Sequence, residues 1–571
     1  MTYKVAIAIS GAVSLGSYEA GTMYEIINAI KLHNESNPPD QHIKIDVMTG
    51  ASAGGMTAAL TAQKLLYESH SLTEPLTNVG YLAWVKKVHI DGLLTAHDND
   101  NENTSILSSG FVDSIARNLI LGRYESAATP SKAPHPASAD TIKLGLALSN
   151  LNGVDYARDI FTATHDGLTG GKFVETRHQD RLTITLGEND DNQNTWQTIA
   201  DTSRACGAFP FAFSPVALFR RFEEPDYQGR GAEDFSSVKP DGKFTYIDGG
   251  AFNNYPLGMA RELAKSNDND PLDYAKRFYF YISPSAKAST MDLTLDAESP
   301  DFNMMSVANS AAKGIFAQSR FQDWLMTDKI NHKVELLDER AKQIVDIVTS
   351  STKTAVKRLA QTSKELCQEI YKDTTDNDEQ LHDAIARLTL QYKEDFADYD
   401  NATQEEKDAW IYSIALLEKS AGLNDFDIMS VYTITAKPED LASEKVMSFM
   451  GFFEERFRHH DYMRGRLNAT NVILHILESR QNAQKAKDHL PLNVDSAFYK
   501  AQKKALEDIL NDTKLGNVTP RNAAKAARER VYERVKDRYY ALAKQMGMNW
   551  VLRVGLYNFY IKKRLRGYLE L

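Results

Sequence analysis

Ser52 stands in Gly50-Ala51-Ser52-Ala53-Gly54, a serine bracketed by glycines two residues away on each side. A serine hydroxyl becomes a nucleophile only when the backbone presents it openly and a base lies within reach, and small neighbours are what such a presentation requires. The flanking residues supply the elements. Ile45 and Val47 alternate with polar residues as a half-buried strand does, and Met56, Ala58, Ala59, Leu60, Ala62 and Leu65 continue as a helix. Strand, G-x-S-x-G and helix in that order form a nucleophile elbow. The unpaired N–H groups at the helix start, Ala53 first, can stabilise negative charge on a tetrahedral intermediate. The plain alternative is a tight turn with a capping serine.

The base candidate lies in Tyr246-Ile247-Asp248-Gly249-Gly250-Ala251-Phe252-Asn253-Asn254-Tyr255-Pro256, where a short apolar strand delivers Asp248 and two glycines let the backbone turn tightly beside it. Asp-Gly alone is an ordinary turn signal; its pairing with Ser52 makes it a candidate. A second small-residue loop, Ser10 to Gly16, follows the first strand, Val5 to Ile9, and precedes a helix over Ser17 to Leu32. Such a loop can present backbone N–H groups to an anion, and it also fits an ordinary strand-to-helix connection. Two successive βα units bring both loops to the same end of a parallel sheet.

The chain has 571 residues, 42% hydrophobic and 25% charged, with a formal net charge of −11. That balance argues against a general nucleic-acid binder. No apolar run approaches the ~18 residues that span a bilayer. Cys206 and Cys367, the two cysteines, form neither a disulfide framework nor a metal-binding spacing and read as buried thiols. The N-terminus enters a strand at once without the pattern of a secretory signal, which predicts a cytoplasmic protein. Further strands are expected at Ile142 to Ser149, Leu182 to Leu186, Phe213 to Phe219, Lys243 to Ile247 and Arg277 to Ser283, and a helix over Ile106 to Leu121. From Asn303 to Leu423 the windows read as helix, including Ala341 to Tyr371 and Glu379 to Asp398. A strand-like run at Phe426 to Thr435 then returns to the core sheet, which makes the helices before it an insertion.

The opening SGAVSLGSYEAG, the elbow GASAG, the stretch SRACGAFPFAFSPV from Ser203 to Val216 and the segment DGGAFNNYP resemble, in the same order along the chain, the motifs of the patatin-like phospholipases. The Arg-rich stretch Gly451 to Arg466 is similar to a helical segment of longer bacterial members. The resemblance implies an α/β fold: a three-layer patatin-like core with a mainly parallel central sheet, a large α-helical insertion and a C-terminal helical region. The expected divisions are a catalytic core over 1–290, an insertion over 291–425, a return strand and helix over 426–470, and helices over 471–571. It also implies a Ser-Asp dyad, Ser52 as nucleophile and Asp248 as general base, with neither histidine nor metal nor cofactor. The elbow and turn glycines are Gly50, Gly54, Gly249 and Gly250. The oxyanion loop matches at Gly11, Ala12, Val13, Ser14 and Gly16, joined by Ala53. The family pattern there is Gly-Gly-Gly-x-Arg-Gly, so Ala12, Val13 and Leu15 depart from it: two glycines and a charge are missing.

The implied activity is that of a lipid acyl hydrolase of phospholipase A or lysophospholipase type; the rivals are a catalytically weak scaffold or lipid-binding protein and a triad esterase using a later histidine. A phospholipid or lysophospholipid substrate requires contact with a membrane surface. Trp550, Val554, Tyr557, Ile561, Leu565 and Tyr568 recur at helical spacing beside Arg553, Lys562, Lys563, Arg564 and Arg566, so Trp550 to Leu571 is expected to be a basic amphipathic helix and a peripheral membrane anchor. Docking on the protein's own core and an oligomer contact are the other readings of that helix. His459 and His460 lie in the Arg-rich helix and read as structural.

Overall fold

The computed structural model describes residues 2–97, 100–101, 103–125, 132–164, 167–228, 230–253, 256–267, 277–285, 340–371, 381–396, 398–420, 430–446, 448–480, 489–513, 515 and 518–571. Residues of the expected helical run before 340 and of the strand-like run before 430 lie outside them. The chain forms two compact units, Met1–Leu263 with Phe280–Phe321 and Tyr432–Leu571, and Ala264–Tyr279 with Gln322–Val431.

The first unit is built on strands β1 (Tyr3–Ile9), β2 (Ile43–Gly50), β3 (Ser138–Thr164), β4 (Gly167–Leu186), β5 (Val216–Phe219), β6 (Lys243–Asp248), β7 (Arg277–Ser285) and β8 (Val431–Ala436), in the order β5-β6-β3-β2-β1-β7-β8 with β4 paired to β3. At the centre β1, β2 and β3 are parallel; β6, β5 and β4 are antiparallel to their neighbours. Val5 to Ile9 are fully buried, as a central parallel strand covered on both faces must be. β8, within the described part of the strand-like run, lies beside β7 in the sheet. This is the mixed α/β fold that the resemblance implies, with a helical remainder.

Two strands exceed expectation. β3 and β4 form a hairpin that extends far past Ser149, with a register shift between Ser149 and Val154 and Gly153 at φ 75°. The extension starts on the core, where Val154 is buried and Tyr156 packs beside it, whereas Phe173 and Val174 on β4 are exposed, so apolar residues there do not mark a buried face. At Phe213 to Phe219 only Val216–Phe219 pairs as a strand.

Four helices serve the site: α1 (Gly16–Ser36), α2 (Ala53–Tyr67), α3 (Ser109–Ile120) and α4 (Gln193–Cys206). α5 (Leu257–Lys265) precedes β7. The second unit contains α6 (Lys353–Ile370), α7 (Leu381–Tyr392) and α8 (Gln404–Ser420), packed around Val356, Leu388, Trp410 and Ile414. The helix expected over Ala341 to Tyr371 breaks before α6 because the Thr352 side chain caps the N–H of Ala355.

After β8 come α9 (Glu455–Arg480), α10 (Ser496–Thr513), α11 (Lys525–Gln545), α12 (Trp550–Leu556) and α13 (Lys562–Tyr568). Trp550 to Tyr568 is helical throughout, α12 and α13 being joined by a π-helical stretch, Tyr557–Ile561, and it packs against α11. Tyr557 and Leu569 are buried, and the Tyr557 hydroxyl donates to the Tyr532 hydroxyl at 2.8 Å. Inward packing of Tyr557 takes its ring out of the stripe that helical spacing assigned to a membrane.

α9 crosses α1 at a pair of glycines. A methyl on Gly21 would fall on the Tyr462 carbonyl, and one on Gly465 would fall on the Tyr18 carbonyl. Neither backbone can yield. Around the crossing Arg466 pairs with Glu25 at 2.6 Å, and the Asn468 amide donates to the Tyr18 hydroxyl at 3.0 Å. Gly465→Ala is expected to lower stability by about 1–3 kcal/mol, overpacking outweighing the helix propensity gained. Gly555, with nothing within 4 Å, is the control; its alanine variant should gain up to about 1 kcal/mol. Urea denaturation of both variants checks this, and equal midpoints would refute the reading of the crossing.

Candidate active site

β2 runs straight into the elbow. Ser52 adopts φ 52°, ψ −127°, a conformation that costs a side-chain-bearing residue about 1–3 kcal/mol and persists only where the surroundings hold it. The surroundings are backbone. A methyl on Gly50 would strike the Gly54 carbonyl, and one on Gly54 the carbonyls of Ile9 and Ser10. One on Gly55, which the motif alone did not mark, would strike the Cys206 sulfur. Each position therefore demands glycine so that α2 can start immediately beside β1 and α4.

Asp248 ends β6 opposite Leu148 of β3. Its N–H donates to the Ala208 carbonyl at 2.9 Å, and its carbonyl accepts the Ser149 hydroxyl at 2.8 Å. A methyl on Gly249 would fall on the Ala147 carbonyl, and the Gly250 N–H donates to Asp248 Oδ1 at 2.7 Å. One carboxylate oxygen is thereby oriented by its own turn, and the other faces the elbow. Ser52 Oγ donates to Asp248 Oδ2 at 2.5 Å. Ser52 is 7% and Asp248 3% exposed.

Beside Ser52 opens a cavity of about 110 Å³ whose walls include Val13, Met56, Trp84, Ile115, Phe213 and Phe452. Arg204, its one basic lining residue, is neutralised by Asp113 at 3.2 Å and Asp201 at 3.1 Å. Such a cavity can take an alkyl chain and offers a headgroup little.

The residues that match the oxyanion loop divide. Val13 and Ala53 line the cavity with Ser52, and among the described residues no backbone acceptor meets the N–H groups of Gly11, Ala12, Val13 or Ala53. Val13 sits at φ 52°. The Ser14 N–H donates to the Ser448 carbonyl at 3.1 Å and the Gly16 N–H to the Val13 carbonyl. A methyl on Gly16 would enter the Trp84 ring, so this glycine answers a packing need.

Residues 7–261 match the family model described as patatin-like phospholipase. Over that stretch, under half of its length, the chain is similar to the patatin-like phospholipases. An uncharacterized protein of Sinorhizobium fredii, y4iI, is 24% identical over 397 residues, a match covering 56% of this chain and 54% of the relative. The chain thus spans about half the length of that curated relative.

Beneath the patatin-like elbow lies Cys206, fully buried; burial first, and the Asp248 charge second, push its thiol well above its ordinary value. The histidines of the Arg-rich helix are engaged elsewhere. His459 Nδ1 meets the Tyr81 hydroxyl at 2.9 Å, and His460 meets Thr513 Oγ1 and the Asp440 carbonyl, both at 3.1 Å. His178, which sequence reasoning passed over, stacks on Phe252 at 6.0 Å and bonds the Asn150 carbonyl. Among the described residues no histidine lines the cavity, and no group of three His, Cys, Asp or Glu side chains is placed to hold a metal ion. His178→Gln and His459→Gln are therefore expected to leave fluorophosphonate labelling of Ser52 unchanged, where loss of a triad histidine costs several orders of magnitude. A collapse of labelling in either variant would restore the triad.

Proposed function

We propose that this protein is a serine lipid acyl hydrolase of phospholipase A or lysophospholipase type that works through Ser52 and Asp248. The observation that carries the reading is the 2.5 Å hydrogen bond from Ser52 Oγ to Asp248 Oδ2 at the wall of an apolar cavity. Asp248 takes the hydroxyl proton as Ser52 Oγ attacks the ester carbonyl carbon. The carbonyl π electrons move onto oxygen, and the backbone N–H groups of Val13 and Ala53 stabilise that oxyanion. Collapse expels the lysolipid or glycerol oxygen, which leaves with the proton held on Asp248. Asp248, again a carboxylate, then activates a water that attacks the acyl-enzyme, and the fatty acid departs as Ser52 recovers its proton. The alkyl chain occupies the cavity throughout.

A second reading, a scaffold or lipid-binding protein with weak turnover, draws on Val13, a β-branched residue in the left-handed region where the family pattern has glycine. Release of fatty acid from mixed phospholipid and lysophospholipid vesicles decides between them. Wild type should release it, and Ser52→Ala and Asp248→Asn should each lose at least about 10³-fold at equal folded concentration. Vesicle binding without release by wild type would favour the scaffold.

Contact with the lipid surface is assigned to the tip of the α11–α12 hairpin. Met546 and Trp550 are 70% and 69% exposed, and Val551 and Leu552 are exposed beside them. Gln545 at this tip donates to Asn103 at 2.7 Å, and Arg534 of α11 donates to the Ile106 carbonyl at 2.9 Å. The Ile106 N–H donates in turn to the carbonyl of Phe211, which is 76% exposed between the cavity residues Phe209 and Phe213. The apolar tip is thus tied to the cavity rim, with Lys544 and Arg553 near it for anionic headgroups. No described helix is long and apolar enough to cross a membrane. Met546→Ser with Trp550→Ser should weaken sedimentation with anionic vesicles by at least roughly tenfold, each apolar side chain giving about 1.5–3 kcal/mol on burial. Hydrolysis of a short water-soluble ester should be unaffected. Undiminished sedimentation would remove the tip from the reading.

A further inference from the structure

A valine at φ 52° does not hold itself there. The left-handed region is an outlier for a β-branched residue and survives only where tertiary contacts over-determine it. Beyond the local bond from the Gly16 N–H to the Val13 carbonyl, the contacts beside Val13 come from a segment more than 400 residues away. Ser14, wholly buried, donates its N–H to the Ser448 carbonyl at 3.1 Å and its hydroxyl to the same oxygen. The Gly451 N–H donates to Ser14 Oγ at 3.1 Å, so the hydroxyl is engaged as donor and acceptor at once. Gly451 must be glycine, because a methyl there would meet Ser14 Oγ and Ser443 Oγ. Ser448 itself sits at φ 62°.

That segment is anchored from behind by α9. Asp461 accepts the N–H groups of Ala442 at 2.7 Å and Ser443 at 2.9 Å. Arg458, 2% exposed, donates to the carbonyls of Gly451 at 2.7 Å, Phe452 at 3.4 Å and Val85 at 2.9 Å. A buried guanidinium whose hydrogen bonds all go to main-chain oxygens fixes backbone in place. Phe452 lines the cavity beside Val13. Apart from Val13 and Val85, these residues lie outside the matched region 7–261.

We infer that residues 442–446 and 448–458 form a clamp that holds the Val13 N–H in its oxyanion-binding orientation, with Ser14 and Arg458 as positioning residues. This rests on the hydrolase reading for its kinetic consequence, while its structural content is independent of it. Removing the Ser14 hydroxyl releases one end of the clamp and lets Val13 relax toward the β region; glycine at 13 tolerates the left-handed conformation and needs the clamp less.

The test uses the full chain and a short-chain p-nitrophenyl ester. In Ser14→Ala, kcat should fall about tenfold to a hundredfold with KM within about threefold, as expected for a misaligned oxyanion donor. Val13→Gly added to Ser14→Ala should regain at least about tenfold. Arg458→Lys, which keeps the charge but cannot reach all three carbonyls, is the second variant, with the same kinetic signature expected. Hydrogen exchange provides the readout independent of turnover: peptides covering 10–16 and 443–453 should lose protection together in Ser14→Ala and in Arg458→Lys. Wild-type inactivity would count against the hydrolase reading, and exchange would still decide the clamp. Unchanged exchange in both variants, a Ser14→Ala kcat within about twofold of wild type when wild type is active, or no recovery in the double variant overturns the clamp.

Discussion

Backbone packed directly on backbone is the constraint on which this site depends. Around Ser52 the main chains of β1, β2 and α2 approach so closely that Gly50 and Gly54 admit no side chain, and Gly249 is held equally tightly against β3. These contacts offset the cost of a serine in the left-handed region and fix the direction of its hydroxyl. They also fix the end of β6, which carries Asp248. A hydrogen bond between residues 196 positions apart in sequence follows from contacts that are each local to a turn.

Tight packing also sets the electrostatics. Glu19 on α1 and Cys206 on α4 are fully buried, and burial raises both well above their ordinary values. Burial thus disfavours the charged form of each. Further along β6 the arrangement reverses. Arg220 is almost wholly buried, yet Asp180, the hydroxyls of Tyr246 and Tyr227, and Glu224 surround it, which keeps its guanidinium charged. The Tyr246 hydroxyl donates to Asp180 Oδ2 at 2.8 Å. The strand that delivers Asp248 is thereby pinned two residues before its end by a satisfied polar network.

What the sequence disclosed follows from the range of each physical cause. The elbow and the Asp248 turn were legible because their steric demands fall on adjacent residues, and glycines at 50, 54 and 249 declare them. Gly55 was not, since its neighbour is Cys206 on another helix. The α/β alternation was readable from buried strands such as β1 and β2. The extension of β3 and β4 was not, because apolar residues such as Phe173 and Val174 face solvent there and mark no buried side. Helical spacing correctly put apolar residues at Trp550, Tyr557 and Tyr568, yet spacing does not say what covers them. Tyr557 faces Tyr532, and Trp550 faces solvent. Ser14 looked like an anion-binding donor because its loop is made of small residues; its partner, Ser448, lies 434 positions away and leaves no local trace.

The loop around Val13 shows two ways to stabilise one backbone conformation. Glycine reaches positive φ without steric cost, but it brings an unfolded chain with more freedom to lose, worth about 0.5–1 kcal/mol per residue. Valine reverses the terms: less freedom is lost, and the folded conformation must be imposed from outside. Here the outside agent is the segment that Asp461 and Arg458 attach to α9, and α9 is itself held against α1 by the reciprocal glycines Gly21 and Gly465. α1 begins directly after the loop, at Gly16. The loop is therefore gripped at Ser14 and fixed at its exit by the same helix pair, and its shape depends on a closed circuit of contacts. A circuit of this kind is cooperative: opening any member removes the reason for the others to stay, so the geometry at Val13 is present in full or lost as a unit.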